Sequence, residues 1–154
     1  MINSILLVDD ENLFHLVFED ACSLLDITLN LEYIDSADEA ARLFDNWKET
    51  PDQKPDCVFV DLNIVGSSFN GIELIRRINY EYGNGVVIGI ISSSADSKEM
   101  GKAVNAGAQF WIVKSDDIEP RLEEFKNDYK TYEDRTGKFK VYKWDFPKKT
   151  YSNF

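Results

Sequence analysis

The sequence predicts an α/β protein with a doubly wound, five-stranded parallel sheet, strand order 2-1-3-4-5 and helices on both faces. Two patterns point there. Short apolar or β-branched runs alternate with helical periodicity in five successive units joined by short connections. The runs at 57–60 and 86–91 have no polar gap, as expected of central strands in a parallel sheet covered on both faces.

Residues 4–9 (SILLVD) read as the first strand. Helical spacing over 12–25 places Leu13, Leu16, Val17, Cys22 and Leu24 or Leu25 inward. Leu29, Leu31 and Tyr33 alternate with Asn30 and Glu32, so 28–34 reads as a half-exposed strand. Ser36 and Glu39 form a capping box for a helix carrying Ala37, Ala40, Ala41, Leu43 and Phe44. A polar loop over 50–55 leads to the third strand, 57–61. Gly71 opens a helix with Ile72, Ile75 and Ile78 that ends near Gly83, and 86–91 is the fourth strand. A helix over 96–106 closes at Gly107, 109–113 is the fifth strand, and the fifth helix runs from 116 to about 130.

The composition narrows the function classes. With 154 residues, 44% of them hydrophobic, the chain can bury a core as one domain and is too apolar to be disordered. A formal charge of −11 argues against general nucleic-acid binding. Two cysteines, Cys22 and Cys57, suggest neither a metal cluster nor a disulfide framework and fit a reducing compartment. The first residues lack a basic stretch, and their apolar run, 5–8, is too short for a signal peptide or membrane span. A cytoplasmic protein is expected, with no membrane and no direct nucleic-acid contact.

In an open parallel sheet, ligands bind beyond the carboxyl ends of the strands, where the strand order reverses. Strand 1 ends in Asp9-Asp10, strand 3 in Asp61, strand 4 in Ser92-Ser93 and strand 5 in Lys114. Three carboxylates, a hydroxyl and an ammonium converge on one rim. Clustered carboxylates need a counter-charge, and oxygen ligands of this kind suit Mg²⁺. A metal-neutralised aspartate can act as a nucleophile toward a phosphoryl group, whose oxygens then need the metal, a lysine and a hydroxyl as partners. Asp61, Asp10, Lys114 and Ser92 supply that set.

Taken together, LLVDDE, VFVDLN, IISSSA and AGAQFWIVK resemble the receiver domain of two-component response regulators, over residues 4–130. The fold this implies is flavodoxin-like, with the strand order of the chemotaxis receiver. The resemblance implies that Asp61 is the phosphoacceptor, that Asp10 binds Mg²⁺ directly and Asp9 through water, and that the backbone carbonyl of Asn63 completes the metal site. It implies further that Ser92 and Lys114 hold the phosphoryl group, that Trp111 stands at the aromatic switch, and that Asn63 and Ser94 flank the path of the hydrolytic water. Two departures are visible. Ser115 follows Lys114 where the family usually has proline, and the loop after Asp61 lacks its usual proline and reaches Gly71 about two residues late.

Other residues have plainer readings. Asp9 and Asp10 are also suited to the start of a helix, where acids favour the dipole. Glu11 reads as a helix-start residue rather than a ligand, and His15 as a structural histidine rather than a phosphodonor relay. The expected domains are a receiver over 1–131 and a C-terminal extension over 132–154, basic and aromatic, packed on the domain or at an interface. In that extension Lys140, Tyr142, Trp144 and Phe146 share one side of an alternating pattern.

The resemblance thus implies a stand-alone, Mg²⁺-dependent phosphoacceptor switch, catalytic only in its own phosphorylation and dephosphorylation. Its partners would be a sensor histidine kinase or phosphotransfer protein and a downstream protein reached through the face of the fourth helix, fifth strand and fifth helix, with homodimer formation left open. The alternative is a degenerate receiver that binds a partner without phosphorylation. An intact acid, hydroxyl and lysine set argues against it.

Overall fold

A computed structural model describes residues 2–64 and 70–143, without the side chain of Leu29. The strands are β1 (Ile2–Val8), β2 (Thr28–Ile34), β3 (Cys57–Asp61), β4 (Val87–Ser92), β5 (Phe110–Val113) and β6 (Lys140–Tyr142). They form one sheet in the order β2-β1-β3-β4-β5-β6, and every adjacent pair is parallel. The crossovers run through α1 (Asn12–Leu24), α2 (Ala37–Asn46), α3 (Gly71–Tyr82), α4 (Ser97–Ala106) and α5 (Glu119–Glu133). One apolar layer packs α2, α3 and α4 against the sheet through Phe44, Ile75, Ala103 and Trp111; the other packs α1 and α5 through Phe18, Phe59 and Phe125.

The expected five-stranded sheet is corrected to six strands. After α5 the chain turns back and pairs with the outer edge of β5, in the register Phe110–Lys140, Trp111–Val141 and Ile112–Tyr142. The gain is physical on both sides of the strand. Backbone groups of β5 that would face water at an edge are paired, and Tyr142 is buried in the α5 layer. The expected pattern holds as far as Lys140 and Tyr142, both of which face α5; Trp144 and Phe146 lie outside the described residues.

A second correction concerns α1. Leu13 and Leu16 are 79% and 64% exposed, and Leu24 is exposed too, so none of the three faces inward. The buried stripe is Phe14, Phe18, Ala21 and Cys22. Both sets have helical spacing, but the aromatic stripe fills the layer, with Phe18 edge-on to Phe59 at a centroid distance of 5.0 Å. Elsewhere local chemistry places the helix starts as expected. Ser36 Oγ accepts from the Glu39 N–H at 3.1 Å, and the side chains of Asn70 and Asp96 cap α3 and α4 in the same way. Gly107 ends α4 at φ +113°, a left-handed conformation that favours glycine. α5 begins at Glu119, later than expected, because residues 114–118 form the turn out of β5. No helix among the described residues is long and apolar enough to cross a membrane.

Candidate phosphoacceptor site

The carboxyl ends of β1, β3, β4 and β5 meet at one rim of the sheet. Asp9 follows β1, Asp61 ends β3, Ser92 ends β4 and Lys114 follows β5. Asp9, Asp61 and Ser92 are buried. Lys114 Nζ sits between three carboxylates, 2.7 Å from Asp9 Oδ2, 2.8 Å from Glu11 Oε1 and 3.3 Å from Asp61 Oδ2, and lies 4.8 Å from the centroid of the Phe14 ring. Burial pulls the ammonium down, but the hydrogen-bonding carboxylates of Asp9 and Glu11 and the charge of Asp61 outweigh it and hold the pKa above the ordinary value. Burial pushes the Asp61 carboxyl from 3.8 up to about 6; Lys114 opposes this, Asp9 adds to it, and the Asn63 N–H donating to Asp61 Oδ1 at 3.1 Å also opposes it.

This set fits a divalent cation. Asp9, Glu11 and Asp61 each offer an oxygen within 4.8 Å of the others. Asp9 Oδ2 is buried, and its counter-charge, the Lys114 ammonium at 2.7 Å, is shared with Glu11 and Asp61, which leaves a buried anionic oxygen with only part of one cation. Such an oxygen suits a hard cation. Asp10 is half-buried and outside that group of three. Glu11, read from sequence as a helix-start residue, does stand at the N-cap of α1, yet its carboxylate also reaches Lys114. Sequence spacing alone held no signal for that, because the contact joins positions 103 residues apart. The start of α1 is served by Asp9 as well, whose Oδ1 accepts from the Glu11 N–H at 2.8 Å. His15 holds the Asp9 carbonyl oxygen through Nε2 at 2.6 Å and stacks on Tyr33, the structural role expected of it.

The two remaining loops close the rim. Lys114 is anchored by its backbone N–H donating to the Ser92 carbonyl at 2.7 Å. One residue earlier, Arg121 Nη1 donates to the Val113 carbonyl at 2.7 Å, and Arg121 is buried. The turn thus holds its shape by a side chain from α5, with Ser115 where a proline was expected. The Ser94 N–H donates to Ser92 Oγ at 3.4 Å, and the Ser94 carbonyl accepts from Trp111 Nε1 at 2.9 Å. Trp111 is fully buried. Behind Asp61, Gly71 starts α3 against the end of β3; a Cβ there would press on the Asp61 carbonyl oxygen and lie 2.9 Å from Leu62 Cα. Residues 65–69, which carry most of the lengthened loop after Asp61, lie outside the described residues.

The chain matches the family model for the response regulator receiver domain over residues 5–124. It belongs to that family, the receivers of two-component signalling. No curated protein sequence matches it. Among solved structures, a response regulator from Thermotoga maritima is 24% identical with a TM-score of 0.62, the match covering 82% of this chain and 99% of that one. The signal receiver domain of an HD domain-containing protein from Pseudomonas fluorescens Pf-5 is 20% identical with a TM-score of 0.68, covering 87% and 99%. The Mn²⁺-bound form of the response regulator Rcp1 is 16% identical with a TM-score of 0.68, covering 82% and 94%. At these identities the likeness is one of fold.

Proposed function

We propose that this receiver accepts a phosphoryl group on Asp61 in a Mg²⁺-dependent reaction, catalysing only its own phosphorylation and dephosphorylation. The observation that carries the reading is the Lys114 ammonium held among Asp9, Glu11 and Asp61 at the strand ends. The donor is a phosphohistidine of a sensor kinase or phosphotransfer protein. An Asp61 carboxylate oxygen forms the new P–O bond as the P–N bond breaks, and the electron pair leaves on the imidazole. Asp9, Asp61 and either Asp10 or Glu11 would hold the Mg²⁺, with the Asn63 carbonyl beside them; when bound, it supplies charge neutralisation to carboxylate and phosphoryl oxygens. Lys114 exchanges part of its carboxylate pairing for a phosphoryl oxygen, and Ser92 donates its hydroxyl to another. Asn63 and Ser94 leave room for the water that later hydrolyses the acyl phosphate.

Donor docking is supported on α1. Leu13 and Leu16 form an exposed apolar step one turn from Glu11, beside the rim, where a helical partner would bring its phosphohistidine to Asp61. A target-binding face on α4, β5 and α5 is the expected output, but β6 lies along the outer edge of β5 and Trp111 is buried beneath it. The reading is tested by incubation with acetyl phosphate and Mg²⁺. One phosphoryl group per chain is expected, absent in Asp61→Asn and absent with EDTA. Equal labelling of Asp61→Asn overturns it, and a wild type that folds but never labels favours a partner-binding receiver that works without phosphorylation.

A further inference from the structure

The sixth strand connects the Asp61 rim to the C-terminal segment. Trp111 lies at the junction. On the rim side its indole N–H holds the Ser94 carbonyl, two residues beyond Ser92. On the other side its backbone pairs in register with Val141. The strand's two faces divide the work. Val141 and the preceding Phe139 pack on the layer that contains Trp111. Lys140 and Tyr142 turn toward α5, where both bond Asp128 Oδ2, at 2.8 and 2.7 Å, and the Tyr142 hydroxyl also meets the Tyr132 hydroxyl at 2.6 Å. Burial raises the Asp128 carboxyl, but the bonds from Lys140 and Tyr142 outweigh it and hold its pKa below the ordinary value. The strand is therefore fastened to α5 on one face and closes over the Trp111 layer with the other.

We propose that docking of β6 on β5 and occupancy of the Asp61 site are thermodynamically coupled through Trp111, so that β6 reports the phosphorylation state. This rests on the phosphoacceptor reading above. With β6 in place, Trp111 stays inward and keeps its bond to the Ser94 carbonyl. That bond fixes the 92–94 turn, and with it the Ser92 hydroxyl, at the rim where a phosphoryl oxygen must be met. When β6 lifts, Val141 and Phe139 no longer cover the layer, Trp111 gains room to turn outward, and the turn loses its anchor. A ligand that binds better to one of two states shifts the population toward it, and the coupling acts equally in both directions. A phosphoryl group on Asp61 therefore tightens β6, and a loosened β6 weakens the hold on the phosphoryl group.

The test uses the full chain with Mg²⁺ and beryllofluoride as the phosphoryl mimic. In the wild type, hydrogen exchange at the amides of residues 140–142 is expected to slow by about five-fold or more on adding the mimic. Val141→Asp, which places a charge in the Trp111 layer, is expected to weaken beryllofluoride binding by a similar factor. Because that variant risks unfolding, Tyr142→Phe provides the milder case. It removes the hydroxyl bonds to Asp128 and Tyr132, keeps the ring, and should weaken binding in the same direction. Unchanged exchange over 140–142, with wild-type affinity in folded variants, overturns the coupling and leaves the phosphoacceptor reading standing. A wild type that does not bind the mimic overturns both.

Discussion

Replacing Asp61 by asparagine should make the metal-free protein more stable, by an amount set by the burial of its carboxylate. The carboxyl rises from 3.8 to about 6 in the fold because burial outweighs the attraction of Lys114. At about 1.4 kcal/mol per pH unit, the ionised form is therefore roughly 3 kcal/mol less favourable in the folded than in the unfolded chain. The native state holds its proton more tightly, so stability falls as pH rises through the interval from about 4 to 6 and stays lower above it. Asparagine imitates the neutral acid. The variant should match the wild type near pH 4 and exceed it by about 2–3 kcal/mol at pH 7.5, or about 4–12 °C in Tm for a chain of this size. Urea denaturation in EDTA at the two pH values measures the difference directly, and the paired comparison cancels other groups that titrate in the same interval. Mg²⁺ should then close the gap at pH 7.5, since a cation that binds only the native wild type stabilises it by mass action. A variant no more stable than the wild type at pH 7.5 without metal would refute the argument, because the carboxylate would then be adequately paired by Lys114 alone.

Further outcomes follow from single contacts. Gly71→Ala should destabilise the fold by about 1–3 kcal/mol in urea denaturation, because its Cβ meets main-chain atoms at the end of β3 rather than a movable side chain. Arg121→Met should cost about 1–3 kcal/mol by leaving the Val113 carbonyl short of its donor, and should slow acetyl phosphate labelling because the turn that carries Lys114 loosens. Ser94→Phe should lengthen the life of the phosphorylated form, read as loss of label with time, by obstructing the water path; an unaltered rate would refute that assignment. Trp111 should dominate the change in tryptophan emission on adding beryllofluoride, so the signal should survive Trp47→Phe and vanish in Trp111→Phe.

Much of the fold was legible because parallel sheets leave a plain mark. The run ending at Asp61 had to be a buried strand, and the capping residue Ser36 marked a helix start through a local hydrogen bond that depends on nearest neighbours only. The inward face of α1 was legible only in part: Val17, Cys22 and Leu25 pack inward as expected, whereas Leu13 and Leu16 do not. Leucines and phenylalanines there both repeat at helical spacing, and only the space beside Phe59 decides that the larger rings go in. The rim divides in the same way. Strand ends named Asp9, Asp61, Ser92 and Lys114, since topology alone brings those positions together. Glu11 and Arg121 act across the rim or back from α5, at separations that leave no trace in a local pattern.

The sixth strand shows how far such an extension alters a receiver without touching its chemistry. Holding two buried carboxylates, Asp9 and Asp61, beside one ammonium that the exposed Glu11 also shares stores unfavourable energy that ligand binding can release, and nothing in that arrangement requires β6. Under the coupling proposed above, β6 changes where the released energy is felt. Without β6, β5 would be an edge strand with unpaired backbone groups. With it, the indole is enclosed between the turn it holds and a strand fastened to α5 by Asp128. Val141 and Phe139 pack against the layer that contains Trp111, so under the proposed coupling they resist its motion. If β6 and the Asp61 site are coupled as proposed, closing the β5 edge places Trp111 between the Ser92–Ser94 turn and the sixth strand, and β6 is where the state of Asp61 would be read.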